Sequence, residues 1–146
     1  MSNLNTILLV EDNLNDAELT IQALTSTNLG NKVTLVRDGV EALEYLQYEG
    51  KYTDRKKENP VVILLDIKMP RLNGIEVLKI VKNSAELKTI PIVMLTSSRE
   101  DPDLKLCYEL GVNAYVVKPV DFKDFLETIK QVGIFWALIN EIPFND

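Results

Sequence analysis

Histidine is absent from the 146-residue sequence, and cysteine occurs once, as Cys107. Without imidazole the chain cannot relay a proton or a phosphoryl group through histidine. This excludes serine–histidine hydrolysis, histidine metal sites and self-phosphorylation on histidine. A single cysteine cannot form an intrachain disulfide and is typical of a protein from a reducing compartment, so we expect a cytoplasmic location.

Excess positive charge and long apolar runs are also lacking. The net charge is -6; because nucleic acid requires a basic surface, we expect no nucleic acid partner. The apolar run Ile7–Val10 is too short for a signal peptide, and no run approaches the length of a membrane span, so we expect no membrane partner. No glycine-rich loop precedes a lysine and a serine or threonine, which excludes a P-loop NTPase.

Short apolar segments alternate along the chain with stretches of helical spacing. The segments are rich in valine, isoleucine and leucine, as expected for strands buried on both faces of a parallel sheet. They are Thr6–Val10, Lys32–Val36, Val61–Leu65, Ile92–Thr96 and Ala114–Val117. Five strand–helix units in series predict an α/β fold with a parallel sheet between layers of helices. We expect one domain over residues 1–146, with no output domain.

The helical stretches each place apolar side chains on one face. The predicted stripes are Ala17, Ile21 and Leu24 in the first helix, Val40, Leu43 and Leu46 in the second, and the apolar residues of Phe122–Val132 in the last, which Asp121 caps. The polar segment Glu49–Asn59 is predicted to be a long loop.

Acids, hydroxyls and a lysine follow the predicted strands, at the edge where sites gather in parallel α/β sheets. They are Glu11, Asp12, Asp66, Thr96, Ser97 and Lys118. Three carboxylates that converge repel one another unless a divalent cation lies among them. An all-oxygen site without histidine favours Mg²⁺ over Zn²⁺.

Such a site is suited to phosphoryl chemistry. One carboxylate can act as a nucleophile that forms an aspartyl phosphate while the cation neutralises the incoming charge. Lys118, the Thr96 hydroxyl and the Ser97 N–H can donate to phosphoryl oxygens.

Four runs resemble bacterial response-regulator receiver domains: LLVED (8–12), LLDIKMPRLNG (64–74), MLTSS (94–98) and AYVVKP (114–119). The resemblance implies a flavodoxin-like, doubly wound (βα)5 fold with strand order 2-1-3-4-5. It makes Asp66 the phosphoacceptor and assigns Glu11, Asp12, Asp66 and the Lys68 carbonyl to Mg²⁺. It also implies that Thr96 and Lys118 bind the phosphoryl group, that Thr96 and Tyr115 form the switch, and that Lys118-Pro119 is a cis peptide.

A narrower likeness concerns the segment Tyr52–Asn59, the opening Asp12–Thr20 and the pair Phe135-Trp136. These resemble the small receivers that serve cyanobacterial phytochromes. The implied function is that of a two-component response regulator, which takes a phosphoryl group from a sensor histidine kinase and changes its protein-binding surface. The narrower likeness implies a phytochrome as that kinase, although related receivers also occur with other kinases. Beyond self-phosphoryl transfer and slow autodephosphorylation, we expect no enzymatic activity.

Rival functions require residues that differ from those present. A haloacid-dehalogenase-like phosphatase needs a second acid where this chain has Lys68. A flavodoxin binds the flavin phosphate in the loop after strand one, where Glu11-Asp12 would repel that phosphate. One alternative stays open: a pseudo-receiver that binds its partner without phosphorylation. The Lys68 side chain either tunes hydrolysis of the acyl phosphate or points into solvent.

The segment Ile134–Ile139 is apolar on every side and is surplus to the stripe of the last helix. Exposed aromatic patches usually mark an interface. We therefore expect a homodimer through helix 4, strand 5 and helix 5, extended by residues 121–146 and joined by Leu104 and Tyr108. The alternative is that the segment folds back onto the core of the monomer.

Overall fold

The computed structural model describes residues 6–25 and 33–133. A five-stranded parallel sheet has the order β2-β1-β3-β4-β5. Its strands are β1 (Ile7–Val10), β2 (Val33–Val36), β3 (Val62–Asp66), β4 (Ile92–Thr96) and β5 (Ala114–Val117). The predicted fold class and strand order are confirmed, and every predicted strand end is correct to within one residue.

In the part of the chain that the structure describes, five α-helices connect and follow the strands. They are α1 (Leu14–Thr25), α2 (Gly39–Gln47), α3 (Gly74–Lys82), α4 (Asp103–Glu109) and α5 (Phe122–Val132). Within the described ranges, none of these helices has the length and apolar character needed to cross a membrane. Asp121 caps α5 as predicted, because its side chain accepts a hydrogen bond from the Asp124 N–H.

The core consists of two apolar layers, one on each face of the sheet. Along β1, Leu8 and Val10 join the layer under α2, α3 and α4, whereas Ile7 and Leu9 join the layer under α1 and α5. Every residue of β1, β3 and β4 is buried. These strands are apolar without alternation because both of their faces are covered.

The predicted stripe of α2 is partly wrong. The residues that α2 buries are Gly39, Ala42, Tyr45 and Leu46. Leu43 is half-buried and packs against this core layer, so the prediction fails at Val40, which is only half-buried. The phase differs because the Tyr45 ring turns into the core, where it meets the Tyr52 ring edge-on at 5.1 Å between centroids.

The segment 49–59, predicted as a loop, begins with a short 3₁₀ helix over Gly50–Tyr52 and is fastened to α2. The Arg55 guanidinium lies 3.8 Å from the centroid of the Tyr45 ring and 4.4 Å from that of Tyr48. The same group donates to the Tyr45 carbonyl at 3.0 Å, and the Tyr52 hydroxyl donates to Glu41 at 2.6 Å. Cation–π and hydrogen-bond contacts therefore hold the segment in place.

The expected role of Leu104 in a dimer surface is wrong. Leu104 is buried in the core layer, because α4 turns this side chain toward the sheet. Tyr108, on the same helix, is 48% exposed and stays available for an interface. Residues 134–146, which carry the rest of the predicted dimer surface, lie outside the described residues.

A close approach at Gly74 fixes the backbone at the end of β3. Asn73 caps α3 through a capping box with Glu76, and the Gly74 N–H donates to the Ile67 carbonyl at 2.8 Å. A Cβ at Gly74 would collide with the carbonyl oxygen of Asp66. Glycine is therefore required where α3 starts directly against Asp66.

We predict that Gly74→Ala lowers the free energy of unfolding by about 2 kcal/mol, since the added methyl group forces α3 away from the strand end. Urea unfolding measures this. The control is Lys79→Ala, an exposed change on the same helix, which should alter the value by less than about 0.5 kcal/mol. Equal stabilities for the two variants would contradict a close contact at Gly74.

Candidate functional site

The carboxyl ends of β1, β3, β4 and β5 surround one open cavity of about 230 Å³. The parallel order places β1 beside β3 and β4 beside β5, so residues far apart in the chain meet there. The polar and charged residues that line it are Glu11, Asp12, Asn13, Asp16, Asp66, Lys68, Thr96, Ser97, Asp101 and Lys118. A larger cavity of about 540 Å³ beside Tyr48 and Leu87 is distant in the fold from these acids.

Three carboxylates converge at this edge. Glu11, Asp12 and Asp66 each place an oxygen within 4.8 Å of the other two. Glu11 is fully buried and Asp66 is only 6% exposed, whereas Asp12 is half-buried. The Glu11 carboxylate accepts a hydrogen bond from the Asn13 N–H at 3.2 Å, which fixes it at the turn into α1.

Burial and the neighbouring acid both act on the charge of Glu11. Burial, together with the hydrogen bond and the negative charge of Asp66, raises the pKa of Glu11 to about 7. The Asn13 N–H and the Lys118 ammonium act in the opposite direction but are the weaker influences. Without a cation, the charged form of Glu11 is therefore disfavoured.

Lys118 is the lysine that pairs with the acids of the cavity. Its Nζ lies 2.9 Å from Asp16, 3.2 Å from Glu11 and 3.4 Å from Asp66. Burial alone would lower the pKa of Lys118, but the hydrogen bond to Asp16 and the charges of Asp66 and Glu11 raise it above its usual range. The peptide between Lys118 and Pro119 is cis, as predicted.

The hydroxyl of Thr96 is already hydrogen-bonded within the loop after β4. Its Oγ1 lies 3.0 Å from the Ser98 carbonyl and 3.2 Å from the Asp101 carboxylate, and Thr96 is buried. Ser97, next along the chain, is exposed and lines the cavity.

Tyr115 lies apart from these groups. It is half-buried on β5, and its ring meets the Tyr108 ring edge-on at 6.4 Å. Together with Arg99 and Gln131, these tyrosines line a separate cavity of about 290 Å³ between α4, β5 and α5.

The structure thus brings together the predicted residues Glu11, Asp12, Asp66, Lys68, Thr96, Ser97 and Lys118. It adds Asp16 and Asp101, to which we assigned no role from the sequence. No local sequence signal marked Asp16, because its partner Lys118 lies 102 residues away in the chain. The contact of Asp101 with Thr96 depends on the path of the loop after β4, which carries no sequence pattern of its own.

The donor set of the acidic cluster fits a hard divalent cation. Its side-chain donors are carboxylate oxygens, which Mg²⁺ and Mn²⁺ prefer, and no imidazole or thiolate lies among the residues lining the cavity. Burial beside Asp66 disfavours the charged form of Glu11 and so raises its pKa, and a bound cation would stabilise that charge.

Comparisons with known proteins agree with this site. The sequence matches the family of the response regulator receiver domain over residues 7–130. Response regulator Rcp1 from Synechocystis sp. is 37% identical over 137 residues, which are 94% of this chain and 92% of Rcp1. The crystal structure of the Mn²⁺-bound form of Rcp1 has a TM-score of 0.73 and 34% identity, over 95% of this chain and 97% of that one.

Two further solved structures are similar. The bacteriophytochrome response regulator RtBRR is 56% identical, with a TM-score of 0.86, over 97% of this chain and 86% of that chain. The phosphorylated cyanobacterial phytochrome response regulator RcpA is 37% identical, with a TM-score of 0.75, over 92% of this chain and 95% of that chain.

The chain belongs to the response regulator receiver family. It is therefore a two-component response regulator, and the predicted family and function are confirmed. Members of this family bind Mg²⁺ or Mn²⁺ at an acidic cluster and are generally not catalytic enzymes. Nothing in the comparisons supports the pseudo-receiver alternative.

We predict that Glu11→Gln stabilises the metal-free protein at high pH. Because the folded-state pKa of Glu11 is raised to about 7 from 4.5, the folded protein binds more protons than the unfolded chain between these values. Its stability therefore falls as the pH rises through this window. At pH 8 in EDTA the variant should be more stable than wild type by about 1–3 kcal/mol, with little difference near pH 4.5.

Urea unfolding across this pH range is the measurement. Glu18→Gln is the control, because Glu18 is an exposed acid on α1 and its removal should leave the pH dependence of wild type intact. A Glu11→Gln variant that loses as much stability as wild type between pH 4.5 and pH 8 would refute the assignment of this slope to Glu11.

Proposed function

We propose that Asp66 accepts the phosphoryl group from a partner sensor histidine kinase. One observation carries the proposal. The Asp66 carboxylate lies at the open end of β3, within 4.8 Å of the carboxylate oxygens of two further acids and 3.4 Å from the Lys118 ammonium. A carboxylate in this setting has both a cation site beside it and a fixed positive charge for an incoming phosphoryl oxygen.

In the proposed reaction an Asp66 carboxylate oxygen attacks the phosphorus of a phosphohistidine. The new bond joins the aspartate oxygen to phosphorus. The bond from phosphorus to the kinase imidazole nitrogen breaks, and the imidazole leaves with the electron pair. Later attack by water on the phosphorus releases inorganic phosphate and restores the carboxylate, which is the slow autodephosphorylation expected from the sequence.

We assign Glu11, Asp12, Asp66 and the Lys68 carbonyl as the protein ligands of Mg²⁺. When bound, Mg²⁺ supplies charge neutralisation that lets an anionic phosphoryl donor approach an acidic site. Lys118, which carries the fixed positive charge of the site, is assigned to an oxygen of the transferred group.

The remaining donors are the Thr96 hydroxyl and the Ser97 backbone N–H. Thr96 must leave its present acceptors, the Ser98 carbonyl and the Asp101 carboxylate, in order to donate to the phosphoryl group. We propose that this exchange shifts the loop after β4 and that Tyr115 moves into the space that Thr96 leaves. Phosphorylation then biases two arrangements of the face formed by α4, β5 and α5.

We propose that the partner kinase is a phytochrome and that the two proteins meet in the cytoplasm. The relatives RtBRR and RcpA are named as response regulators of a bacteriophytochrome and of a cyanobacterial phytochrome. Tyr52–Asn59, the segment that carries this resemblance, contacts α2 through the Arg55 guanidinium on the Tyr45 ring and the Tyr52 hydroxyl on Glu41. We assign residues 7–130 to a receiver domain that signals by protein contact.

We also propose a homodimer through α4, β5 and α5. Tyr108 and Tyr115 form an edge-on aromatic pair there, and Tyr108 is half exposed. Aromatic side chains at the surface are enriched in interfaces because they bury a large area at a small entropic cost.

We predict that wild-type protein incubated with acetyl phosphate and Mg²⁺ gains the mass of one phosphoryl group, and that Asp66→Asn gains none. The carboxamide keeps the shape of the side chain but is not a nucleophile. Intact mass spectrometry measures the gain, and EDTA should abolish it in wild type.

The matched control is Asp54→Asn, which removes an exposed acid outside the cavity and should leave uptake unchanged. Full labelling of Asp66→Asn would contradict Asp66 as the phosphoacceptor, and normal uptake in EDTA would contradict the requirement for Mg²⁺.

We predict that the wild-type protein sediments as a dimer and that Tyr108→Ala raises the dissociation constant roughly tenfold or more, since tyrosine is enriched among the interface residues whose truncation costs about 2 kcal/mol or more. Analytical ultracentrifugation before and after phosphorylation measures this. Leu19→Ala, an exposed apolar change on α1, is the control.

A wild-type protein that stays monomeric at high concentration in both states would reject the dimer. Burial of the only tryptophan, Trp136, in that monomer, detected by its fluorescence, would favour the fold-back alternative.

A further inference from the structure

Asp16 makes a shorter contact with Lys118 than Glu11 or Asp66 does. The Lys118 Nζ lies 2.9 Å from the Asp16 carboxylate, compared with 3.2 Å for Glu11 and 3.4 Å for Asp66. Asp16 and Lys118 are 102 residues apart in the chain. The contact therefore joins the first turn of α1 to the end of β5 across the mouth of the cavity.

The position of Asp16 is fixed by the start of its helix. The Asn13 side chain accepts a hydrogen bond from the Asp16 N–H at 2.9 Å, and the Ala17 N–H donates to the Asn13 carbonyl at 2.9 Å. This cap sets the first turn of α1, so the Asp16 carboxylate is presented from a rigid element. About a third of its side chain is exposed, and the Lys118 side chain is 15% exposed.

Asp16 differs in kind from the other two partners of Lys118. Glu11 and Asp66 belong to the cluster that fits a divalent cation, and Asp66 is also the proposed nucleophile. Asp16 lies outside that cluster. It is therefore the acidic partner of Lys118 whose charge does not have to be shared with a cation or with phosphorus.

Lysine has a flexible four-carbon side chain with three donors on its ammonium group. Without a hydrogen-bond partner, that side chain populates many rotamers. A lysine that keeps one donor on Asp16 has its other donors available to groups deeper in the cavity. The geometry points to Asp16 as a positioning residue that holds the Lys118 ammonium at the mouth of the cavity, ready for a phosphoryl oxygen. This inference deepens the proposed function and rests on it.

Uptake from acetyl phosphate in the presence of Mg²⁺ tests the inference. We expect Asp16→Ala to lower the rate constant of uptake roughly three- to tenfold, because Lys118 must then be ordered during the reaction. Asp16→Asn, which keeps an acceptor but loses the charge, should lie between this variant and wild type. Glu18→Gln removes an equal charge from an exposed site two residues along α1 and should react like wild type.

A second readout follows the lysine itself. With ¹⁵N-lysine labelling and an assignment from Lys118→Arg, the Lys118 ammonium should exchange its protons slowly in wild type and in Glu18→Gln when Mg²⁺ is present to engage Glu11 and Asp66. It should exchange rapidly in Asp16→Ala. A purely structural role for Asp16 would change the unfolding midpoint but would leave this signal in the folded variant unaltered.

The outcomes are distinguishable. If wild type takes up no phosphoryl group, both the proposed function and the inference about Asp16 are overturned. If wild type reacts but Asp16→Ala reacts as fast or faster, the inference alone is overturned. It is likewise overturned if the Lys118 ammonium stays protected in Asp16→Ala, or if Glu18→Gln slows uptake as much as Asp16→Ala does.

Discussion

The burial of carboxylates beside one another is the constraint on which the site depends. Glu11 and Asp66 lie together at the ends of neighbouring strands with almost no solvent to screen them, and Asp12 is added from the same turn. Lys118 is close enough to pair with both buried acids, yet the pKa of Glu11 still rises to about 7. The apo site is therefore incompletely neutralised, which favours the binding of a divalent cation and the acceptance of a phosphoryl group in its presence.

The fold maintains this unfavourable arrangement through rigid supports. Strands β1 and β3 pair directly, so the residues that follow them cannot move apart without loss of the sheet. The start of α3 is pressed against the Asp66 backbone at Gly74, and the start of α1 is capped by Asn13. A single flexible side chain, Lys118, spans the gap between β5 and these acids. We infer that the paired strands keep the carboxylates close together, and that Lys118 and the loop after β4 are the parts that move when a phosphoryl group binds.

Much of this could be predicted from the sequence, because buried parallel strands are continuously apolar and their ends are marked by acids, hydroxyls and lysine. The strands and the residues of the cavity were therefore predictable. The phase of α2 was not, since it depends on the Tyr45 ring being accepted by the core. Leu104 was misplaced because the orientation of a seven-residue helix is decided by its packing and not by its pattern. The contact of Asp16 with Lys118 joins residues that no local pattern connects.

The central claim is that the acyl phosphate forms on Asp66, and chemical trapping tests it most directly. Borohydride reduces an aspartyl phosphate to homoserine, with release of the phosphate, and so marks the residue that carried the group. After treatment with acetyl phosphate and Mg²⁺, peptide mass spectrometry should find homoserine at position 66 and aspartate at positions 12, 16 and 101. Homoserine at any of those other positions, or unmodified Asp66 in protein that has gained the phosphoryl mass, would contradict the account.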